Sequence, residues 1–338
     1  MAAQNQPVWQ TGTVVEATPA ATGIRRIVVA PANPQRAAPG THVDVLADLG
    51  HTSETRSYSI VESNDDGALL TLGVQLASRT RGGSAFMHAL TAGERITMTQ
   101  PLQNFPLRVG ADRYVLLAGG IGITAIAGMA RLLQQLGSDY QLVYAGRSRD
   151  RMAYLDALEE LHQERIRVHV SEDGTSLDAS SLVEEIATTG PAELYMCGPI
   201  PLMDAVRRSW RENGLPPTDL RYETFGNGGW FPSEDFVVSI PRLGIRTTVE
   251  AGQTMLQALE RAGADVLSEC RKGECGLCQV TVLDVQGRID HRDVFFDDDQ
   301  KQATKRLCAC VSRAVRKDPA GTVASIGDDR AVLTLDIP

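Results

Sequence analysis

Short runs of alternating apolar and polar residues occupy the chain up to Leu107. A period of two predicts β-strands with one buried face, and turn residues such as Pro39-Gly40 separate the runs. The predicted strands are Gly12–Val15, Ile24–Val29, His42–Leu46, Arg56–Val61, Leu69–Leu76 and Arg95–Thr99. Short strands this close together in sequence predict a small closed antiparallel barrel.

From Tyr114 onward, apolar strands alternate with helices whose apolar positions recur every three to four residues. The predicted strands are Tyr114–Ala118, Gln141–Ala145, Ile166–Val170, Glu193–Cys197 and Leu220–Phe225. The predicted helices are Ala125–Leu136, Ala153–Glu164, Ala179–Ile186 and Leu202–Asn213. This alternation is typical of an α/β domain with a doubly wound parallel sheet.

A glycine-rich segment after Phe225 indicates a linker, and strands and a helix follow it. The predicted elements there are the strands Phe236–Ile240, Ile245–Val249, Gln279–Asp284 and Ala331–Ile337 and the helix Thr254–Ala262. We therefore predict a multidomain chain: an antiparallel β-barrel at 1–108, an α/β domain at 109–226, and an α+β domain at 227–338 that begins with the linker.

The 338 residues include 42 acidic and 33 basic side chains, a net charge of −9. This balance disfavours a nucleic-acid partner, whose phosphates attract positive charge. No Lys or Arg precedes Arg25, so the start of the chain lacks the basic segment of a secretory signal. The uncharged run Tyr114–Met129 is interrupted by glycines and shorter than the ~20 residues that span a bilayer. We expect a cytoplasmic protein without a membrane partner.

Five of the six cysteines lie between Cys270 and Cys310. Cys270, Cys275 and Cys278 have the C-x4-C-x2-C spacing of plant-type ferredoxins, which bind a 2Fe–2S cluster through a fourth, distant cysteine. Gly273 allows the loop backbone to fold around the sulfur atoms. Zinc is the alternative, but zinc motifs usually use paired C-x2-C hooks or histidine.

The fourth metal ligand has two candidates, Cys308 and Cys310. If Cys308 were the ligand, Arg306 would share its inward strand face. If Cys310 is the ligand, that neighbour is Cys308, which is small and readily buried. Cys310 is therefore the favoured fourth ligand, and Cys308 remains the alternative ligand.

A glycine turn follows the strand at Tyr114–Ala118 and precedes a helix. Gly120, Gly122 and Thr124 belong to a G-x-G-x-x-A motif, which lets a pyrophosphate approach backbone N–H groups. The acidic residue expected after the next strand is absent, and Arg147-Ser148 stands there. These residues either hold a dinucleotide phosphate or form a solvated loop, so they do not decide between NADH and NADPH.

In this order, the motifs resemble those of the phthalate dioxygenase reductase family, flavin- and iron–sulfur-containing oxygenase reductases of the ferredoxin reductase superfamily. The resemblance extends over nearly the whole chain. The motifs that carry it are Arg56-Ser57-Tyr58-Ser59, Arg81-Gly82-Gly83-Ser84, Gly119–Thr124 with Cys197-Gly198-Pro199, and the cysteine loop with Cys310-Val311-Ser312-Arg313. It implies a flavin barrel, a nicotinamide domain and a plant-type ferredoxin domain of β-grasp fold.

The family resemblance also implies the cofactors FMN, NADH and a 2Fe–2S cluster. Arg56 and Ser84 would hold the flavin phosphate, a role that suits a guanidinium group. Tyr58 would pack on the isoalloxazine, and Ser59 would donate a hydrogen bond near flavin N5. The remaining implied flavin ligands are Ser57, Arg81, Gly82 and Gly83.

At the nicotinamide, the resemblance implies roles for Thr124, Cys197, Glu223 and Phe225. Gly198 and Pro199 would complete the dinucleotide site, and Phe225 would cover the flavin until nicotinamide displaces it. Taken alone, Cys197 is better explained as an inert buried thiol at a strand end, and Phe225 has the alternative of an ordinary aromatic residue at a strand end. The implied catalytic residues are Ser59, Cys197, Glu223 and Phe225.

The function implied by the resemblance is that of a monomeric reductase component of a two-component oxygenase. It would pass electrons from NADH through FMN and the cluster to a terminal Rieske non-haem iron oxygenase, for aromatic ring dioxygenation or O-demethylation. The alternatives are a haem-thiolate monooxygenase partner and a stand-alone NAD(P)H oxidase or flavin reductase. Three features depart from the family pattern: Ala125 in place of proline, the additional Cys308, and an insertion at Arg316–Arg330.

Overall fold

A computed structural model describes residues 6–50, 53–77, 82–225, 229–317 and 330–337. Contacts divide the chain into two units, the first formed by residues 1–198 and 205–223 and the second by residues 199–204 and 224–338. The sequence-based boundaries at 108 and 226 stay a prediction. Among the described residues, no helix is both long and apolar enough to cross a bilayer.

The first unit begins with an antiparallel barrel. Its strands are β1 (Trp9–Ala21), β2 (Ile24–Pro31), β3 (Thr41–Asp48), β4 (Ser53–Ser63), β5 (Leu70–Gln75), β6 (Arg95–Thr99) and β7 (Leu102–Gln103), with helix α1 (Gly83–Ala89) between β5 and β6. In the described part of the sheet the order is β4-β5-β2-β1-β6-β3, and β3 also pairs with β4, which closes the barrel. The short β7 pairs with β3. The predicted closed barrel is confirmed.

Apolar and polar residues alternate along these strands, so that one face of the sheet is apolar and lines the inside of the barrel. Val14, Val29, Val43, Val45 and Leu72 point inward and are buried in one apolar cluster. Because a closed sheet leaves no unpaired edge, the barrel satisfies its backbone hydrogen bonds without a covering layer of helices.

The remainder of the first unit contains a parallel sheet. Its strands are β8 (Tyr114–Gly119), β9 (Tyr140–Gly146), β10 (Ile166–Val170), β11 (Glu193–Cys197) and β12 (Leu220–Glu223), and the helices are α2 (Ile123–Gln135), α3 (Leu155–His162), α4 (Ala179–Thr189) and α5 (Ile200–Glu212), of which residues 205–212 belong to this unit. The order among the described strands is β10-β9-β8-β11-β12, and all pairs are parallel. The predicted doubly wound domain is confirmed.

The central strand β8 is buried along its whole length. A parallel strand covered on both faces needs a continuous apolar sequence, which accounts for the uncharged run around Tyr114–Met129. The strand order reverses between β8 and β11, and ligands bind at the carboxyl ends of strands at such a switch point.

The second unit holds a mixed sheet. Its strands are β13 (Phe236–Ile240), β14 (Ile245–Val249), β15 (Gln279–Gln286), β16 (Arg288–Asp290), β17 (Arg306–Cys308), β18 (Arg313–Val315) and β19 (Val332–Asp336), with helices α6 (Met255–Arg261) and α7 (Asp298–Ala303). The described order is β14-β13-β19-β15-β17, with β13 and β19 parallel, and β16 pairs with β18 separately. Helix α6 contributes Met255, Leu256 and Leu259 to the core against this sheet. The predicted α+β domain is confirmed.

Candidate functional site

Strand β4 carries the R-x-Y-S motif opposite β3. Ser57 is paired in register with Asp44, and its hydroxyl donates to that carboxylate over 2.6 Å. The Arg56 guanidinium pairs with Glu54 and donates to the Thr55 carbonyl oxygen over 2.9 Å. Ser59 is buried.

The turn before helix α1 lies against Arg56. A Cβ atom added to Gly83 would lie only 2.7 Å from Cγ of Arg56, so the arginine stem contacts the first residue of the helix. The Ser84 hydroxyl accepts a hydrogen bond from the Ala77 N–H at 3.2 Å. Arg56, Gly82, Gly83 and Ser84 therefore lie at one location, as a phosphate site requires, whereas Arg81 lies outside the described residues.

The glycine turn has the shape that the sequence predicts. Gly120–Gly122 form a 3-10 turn directly after β8, and helix α2 begins at Ile123. A Cβ atom on Gly122 would lie 2.1 Å from the Cys197 carbonyl oxygen, so only glycine fits there. Thr124 is buried and donates its hydroxyl hydrogen to the Ile121 carbonyl oxygen at 2.9 Å.

Cys197 and Glu223 end neighbouring strands of the parallel sheet. Cys197 is in register with Ala118 of β8 and with Glu223 of β12, and both Cys197 and Glu223 are buried. The close approach of Gly122 to Cys197 therefore places three predicted site residues at the carboxyl edge, where the strand order reverses. Gly198 follows Cys197, and the Pro199 carbonyl oxygen accepts the Leu202 N–H at 3.0 Å.

Arg147 and Ser148 follow β9 in an exposed loop. The Arg147 side chain is 81% exposed and lies 3.4 Å from a Glu172 carboxylate oxygen. The Ser148 hydroxyl donates to Asp150 over 2.5 Å. Both interpretations of this loop, phosphate ligand and solvated surface, therefore stay predictions.

Thr224 is a site residue that sequence reasoning missed. It is buried, its N–H donates to a Glu274 carboxylate oxygen at 2.9 Å, and its hydroxyl donates to the Lys272 carbonyl oxygen at 2.8 Å. These bonds hold Thr224 against the cysteine loop. The half-buried Phe225 follows Thr224 directly in the chain. The partners are about fifty residues apart in sequence, so no local pattern predicts them.

The cysteine loop surrounds Cys270 with hydrogen-bond donors. Its sulfur accepts the N–H groups of Lys272, Glu274 and Cys275, each at 3.4 Å. Gly273 and Gly276 have φ angles of +79° and +72°, which turn the backbone inward. Such donors stabilise a thiolate that binds metal, and Cys275 is exposed at the surface.

Three buried cysteines meet behind the loop. The Ala309 N–H donates to the Cys278 carbonyl oxygen at 3.0 Å, which holds the segment of Cys308 and Cys310 beside Cys278. The neighbouring side chains of Cys308 and Cys310 lower the pKa of the Cys278 thiol. The proximity of Cys278, together with burial, raises the pKa of both Cys308 and Cys310.

Cys308 and Cys310 occupy different places behind the loop. Cys308 ends β17, where it is paired in register with Gln279, and Cys310 follows two residues later, before β18. Both are buried, so the choice of Cys310 as the fourth ligand stays a prediction. A set of four thiolates, Cys270, Cys275, Cys278 and Cys310, fits the donor chemistry of a 2Fe–2S cluster.

Comparison with known proteins assigns these folds. Residues 239–315 match a family model described as a 2Fe-2S iron-sulfur cluster binding domain, and residues 116–208 match an oxidoreductase NAD-binding domain. The chain is 34% identical to phenoxybenzoate dioxygenase subunit beta of Ectopseudomonas oleovorans over 88% of this chain and 87% of that protein. A solved phthalate dioxygenase reductase superposes with a TM-score of 0.67 and 26% identity, covering 96% of this chain and 98% of that one. The chain belongs to the phthalate dioxygenase reductase family.

As a member of the phthalate dioxygenase reductase family, the chain is an oxidoreductase with a flavin-type barrel, an NAD-binding domain and a 2Fe–2S domain. A self-sufficient cytochrome P450 monooxygenase of type IV is also similar, with a TM-score of 0.61 and 32% identity over 98% of this chain. The chain spans only 43% of that P450, so the similarity concerns one portion of the longer protein.

Proposed function

We propose that this chain is the reductase component of a two-component oxygenase and transfers electrons from NADH, through FMN and a 2Fe–2S cluster, to a terminal oxygenase. The observation that carries the proposal is the cysteine loop. It surrounds one sulfur with three N–H donors while another ligand, Cys275, is exposed. A cluster whose edge reaches the surface suits delivery of electrons to a separate protein.

The barrel residues would hold FMN. Arg56 would bind the phosphate with Ser84 and the backbone of Arg81, Gly82 and Gly83. Its pairing with Glu54, and its contact with Gly83, place the guanidinium beside α1. Ser57 supports β4 through Asp44, Tyr58 would pack on the flavin ring, and the buried Ser59 would donate a hydrogen bond near N5.

The carboxyl edge of the parallel sheet would bind NADH. Gly120 and Gly122 let the pyrophosphate approach the start of α2, with Gly198, Pro199, Arg147 and Ser148 as further contacts. Thr124, Cys197 and Glu223 would position the nicotinamide, and Phe225 would cover the flavin until the nicotinamide arrives. When bound, a flavin would supply hydride acceptance and a 2Fe–2S cluster single-electron transfer, and the residues of this chain would supply position and electrostatics.

The partner that we propose is a Rieske non-haem iron oxygenase acting on an aromatic or other small organic substrate. The names of the relatives support this choice, because both the phenoxybenzoate and the phthalate proteins belong to dioxygenases of aromatic acids. The substrate would bind to the oxygenase, and this chain would determine only the source and delivery of electrons.

The test is turnover with a purified Rieske oxygenase under NADH. We expect substrate-dependent NADH oxidation, and we expect Cys275→Ser to abolish it while NADH-dependent reduction of ferricyanide continues at the flavin. Cys197→Ser is unsuitable as a control because Cys197 lies in the proposed nicotinamide site. Wild-type delivery to the oxygenase by the Cys275→Ser protein would refute the role of the cluster.

A haem-thiolate monooxygenase is the second candidate partner. The 32% identity to a portion of the type IV P450 favours it. Parallel assays with a purified haem-thiolate enzyme and a purified Rieske oxygenase separate the two candidates. Product formation with the haem enzyme alone would contradict the Rieske assignment without affecting the proposed order of cofactors.

A further inference from the structure

Gly73 is a buried glycine in the middle of the barrel strand β5, where it pairs in register with Arg26 of β2. Glycine weakens a strand interior, and there it often marks a place where another group approaches the backbone closely. A Cβ atom on Gly73 would lie 2.6 Å from Cγ2 of Thr124 and 3.0 Å from the Tyr154 hydroxyl oxygen. Carbon atoms in contact prefer a separation of about 3.5–4.0 Å, so the strand has no room for a side chain at this position.

Of these two neighbours, the Thr124 methyl group is the one held in place. The buried Thr124 donates its hydroxyl hydrogen to the Ile121 carbonyl oxygen at 2.9 Å, which fixes its rotamer and aims the methyl group at β5. The Tyr154 hydroxyl is the far end of a long side chain and has no hydrogen-bond partner among the described residues. Displacement by a side chain at position 73 would therefore fall on Thr124 and the first turn of α2.

The start of α2 is packed against two sheets of the first unit. Gly122, directly before the helix, approaches the parallel sheet so closely that a Cβ atom would lie 2.1 Å from the Cys197 carbonyl oxygen. Thr124, directly after it, approaches Gly73 of the barrel. In both places a missing side chain permits the approach, so the glycine turn is fixed relative to both sheets.

Farther along, α2 lies on β4, the strand that carries the R-x-Y-S motif. A Cβ atom on Gly128 would lie 3.4 Å from the Val61 carbonyl oxygen, and Arg131 pairs with Glu62. One helix therefore connects the glycine turn, where the dinucleotide would bind, with the strand that would hold the flavin.

We propose that Gly73 is a positioning residue for hydride transfer: the absence of a side chain lets Thr124 seat against β5, which sets the distance between the nicotinamide site and the flavin site. In this step NADH gives up a hydride with both electrons and becomes NAD⁺, and the flavin is reduced. Reacting atoms must lie about 3–3.5 Å apart, and a misplacement of about 1 Å can cost about 100-fold in rate. The inference rests on the proposed NADH and flavin sites and does not depend on the cluster or the oxygenase.

The test is a double-mutant cycle on the holoprotein with Gly73→Ala, Thr124→Ser and the double variant. Serine keeps the hydroxyl that donates to Ile121 and removes the methyl group that meets position 73. We expect Gly73→Ala to slow anaerobic flavin reduction at saturating NADH by about tenfold in the wild-type background. In the Thr124→Ser background, the same change should slow flavin reduction by less than about twofold.

A second readout, thermal unfolding, uses no NADH. We expect Gly73→Ala to lower the unfolding midpoint, because an added methyl group overpacks the contact. Thr124→Ser should offset most of that loss in the double variant, because it makes room for the added methyl group. This readout decides on the contact even where Gly73→Ala alone is too unstable for kinetics.

Gly12→Ala is the matched control. Gly12 also lies in a barrel strand, β1, and a Cβ atom there would lie 2.5 Å from both the Met98 sulfur and Cγ1 of Val29. These neighbours belong to the barrel core and not to α2. We expect Gly12→Ala to lower the unfolding midpoint without slowing the reduction of the flavin that remains bound.

Equal rates of flavin reduction in the wild type and Gly73→Ala would overturn the proposal. So would an equal effect of Gly73→Ala in both Thr124 backgrounds, or a Gly12→Ala protein that is slowed as much as Gly73→Ala. A wild-type protein that NADH does not reduce would instead refute the proposed NADH site, whereas the unfolding cycle would still report the contact between Gly73 and Thr124.

Discussion

Gly122 shows how closely a single residue is constrained in the glycine turn after β8. A Cβ atom there would lie 2.1 Å from the Cys197 carbonyl oxygen, and both groups belong to backbone that cannot rotate away. We expect Gly122→Ala to lower the free energy of unfolding by about 1–3 kcal/mol and to raise KM for NADH. Thermal unfolding and steady-state reduction of ferricyanide measure the two effects.

Gly128 is the matched control for Gly122 because it lies in the same helix, α2. The nearest atom to a Cβ there is the Val61 carbonyl oxygen at 3.4 Å, an ordinary contact distance. Since alanine favours helix more than glycine does, Gly128→Ala should leave stability unchanged or increase it. Equal losses in both variants would contradict the argument from close approach.

His162 predicts a pH dependence of stability. It is buried on α3, and its Nδ1 lies 2.6 Å from the Tyr140 hydroxyl. Burial, together with the positive charges of Arg131 and Arg165, lowers the pKa of His162. Below an unfolded pKa of about 6.5 the unfolded chain therefore binds a proton that the folded chain does not, so the free energy of unfolding decreases as the pH falls.

The measurement for His162 is denaturant unfolding at a series of pH values. We expect His162→Gln to unfold with a smaller dependence on pH than the wild type between about pH 7 and pH 5, because the titrating group is absent. Identical slopes in the two proteins would show that His162 does not carry this dependence.

Helix α6 illustrates how an element in the ferredoxin domain begins. Thr254 accepts the Gln257 N–H at 3.1 Å, and the Gln257 side chain accepts the Thr254 N–H, which is a capping box. We expect Thr254→Ala to lower the free energy of unfolding by about 1 kcal/mol, while Thr254→Ser, which keeps the hydroxyl, stays close to the wild type. Thermal unfolding of the holoprotein, followed by cluster absorbance, tests this; a serine variant as unstable as the alanine variant would argue against the cap.

Element boundaries were predicted best where periodicity is long. The six predicted strands of the barrel, the strands of the parallel sheet and the helices α2 to α6 lie where their patterns place them. Helix α7 and the short strands β7, β16 and β18 were not predicted. Six-residue and three-residue elements contain less than two periods of any pattern, and the cap at Asp297 and the pairing of Arg288 with Val315 establish them instead.

At the scale of the whole molecule, the proposed cofactor set predicts how many electrons the chain accepts. The flavin takes two electrons and the cluster one, whereas each NADH supplies two, so complete anaerobic reduction should need about 1.5 equivalents of NADH. Visible absorption during the titration measures this, with loss of both the flavin band and the red-brown shoulder. An end point at one equivalent of NADH, at which only the flavin band is bleached, would contradict the presence of a cluster that accepts electrons from the flavin.

The three fold types, the family and the candidate cofactor motifs could be predicted from the sequence, because each depends on short spacings: alternation in the barrel, the glycine turn after β8, and C-x4-C-x2-C. Tertiary structure alone decided which distant residues meet. It placed Gly122 against Cys197, attached Thr224 to the cysteine loop, and held the segment of Cys308 and Cys310 beside Cys278 through the Ala309 N–H. These contacts join residues tens of positions apart, and only packing of the strands that carry them determines their distances.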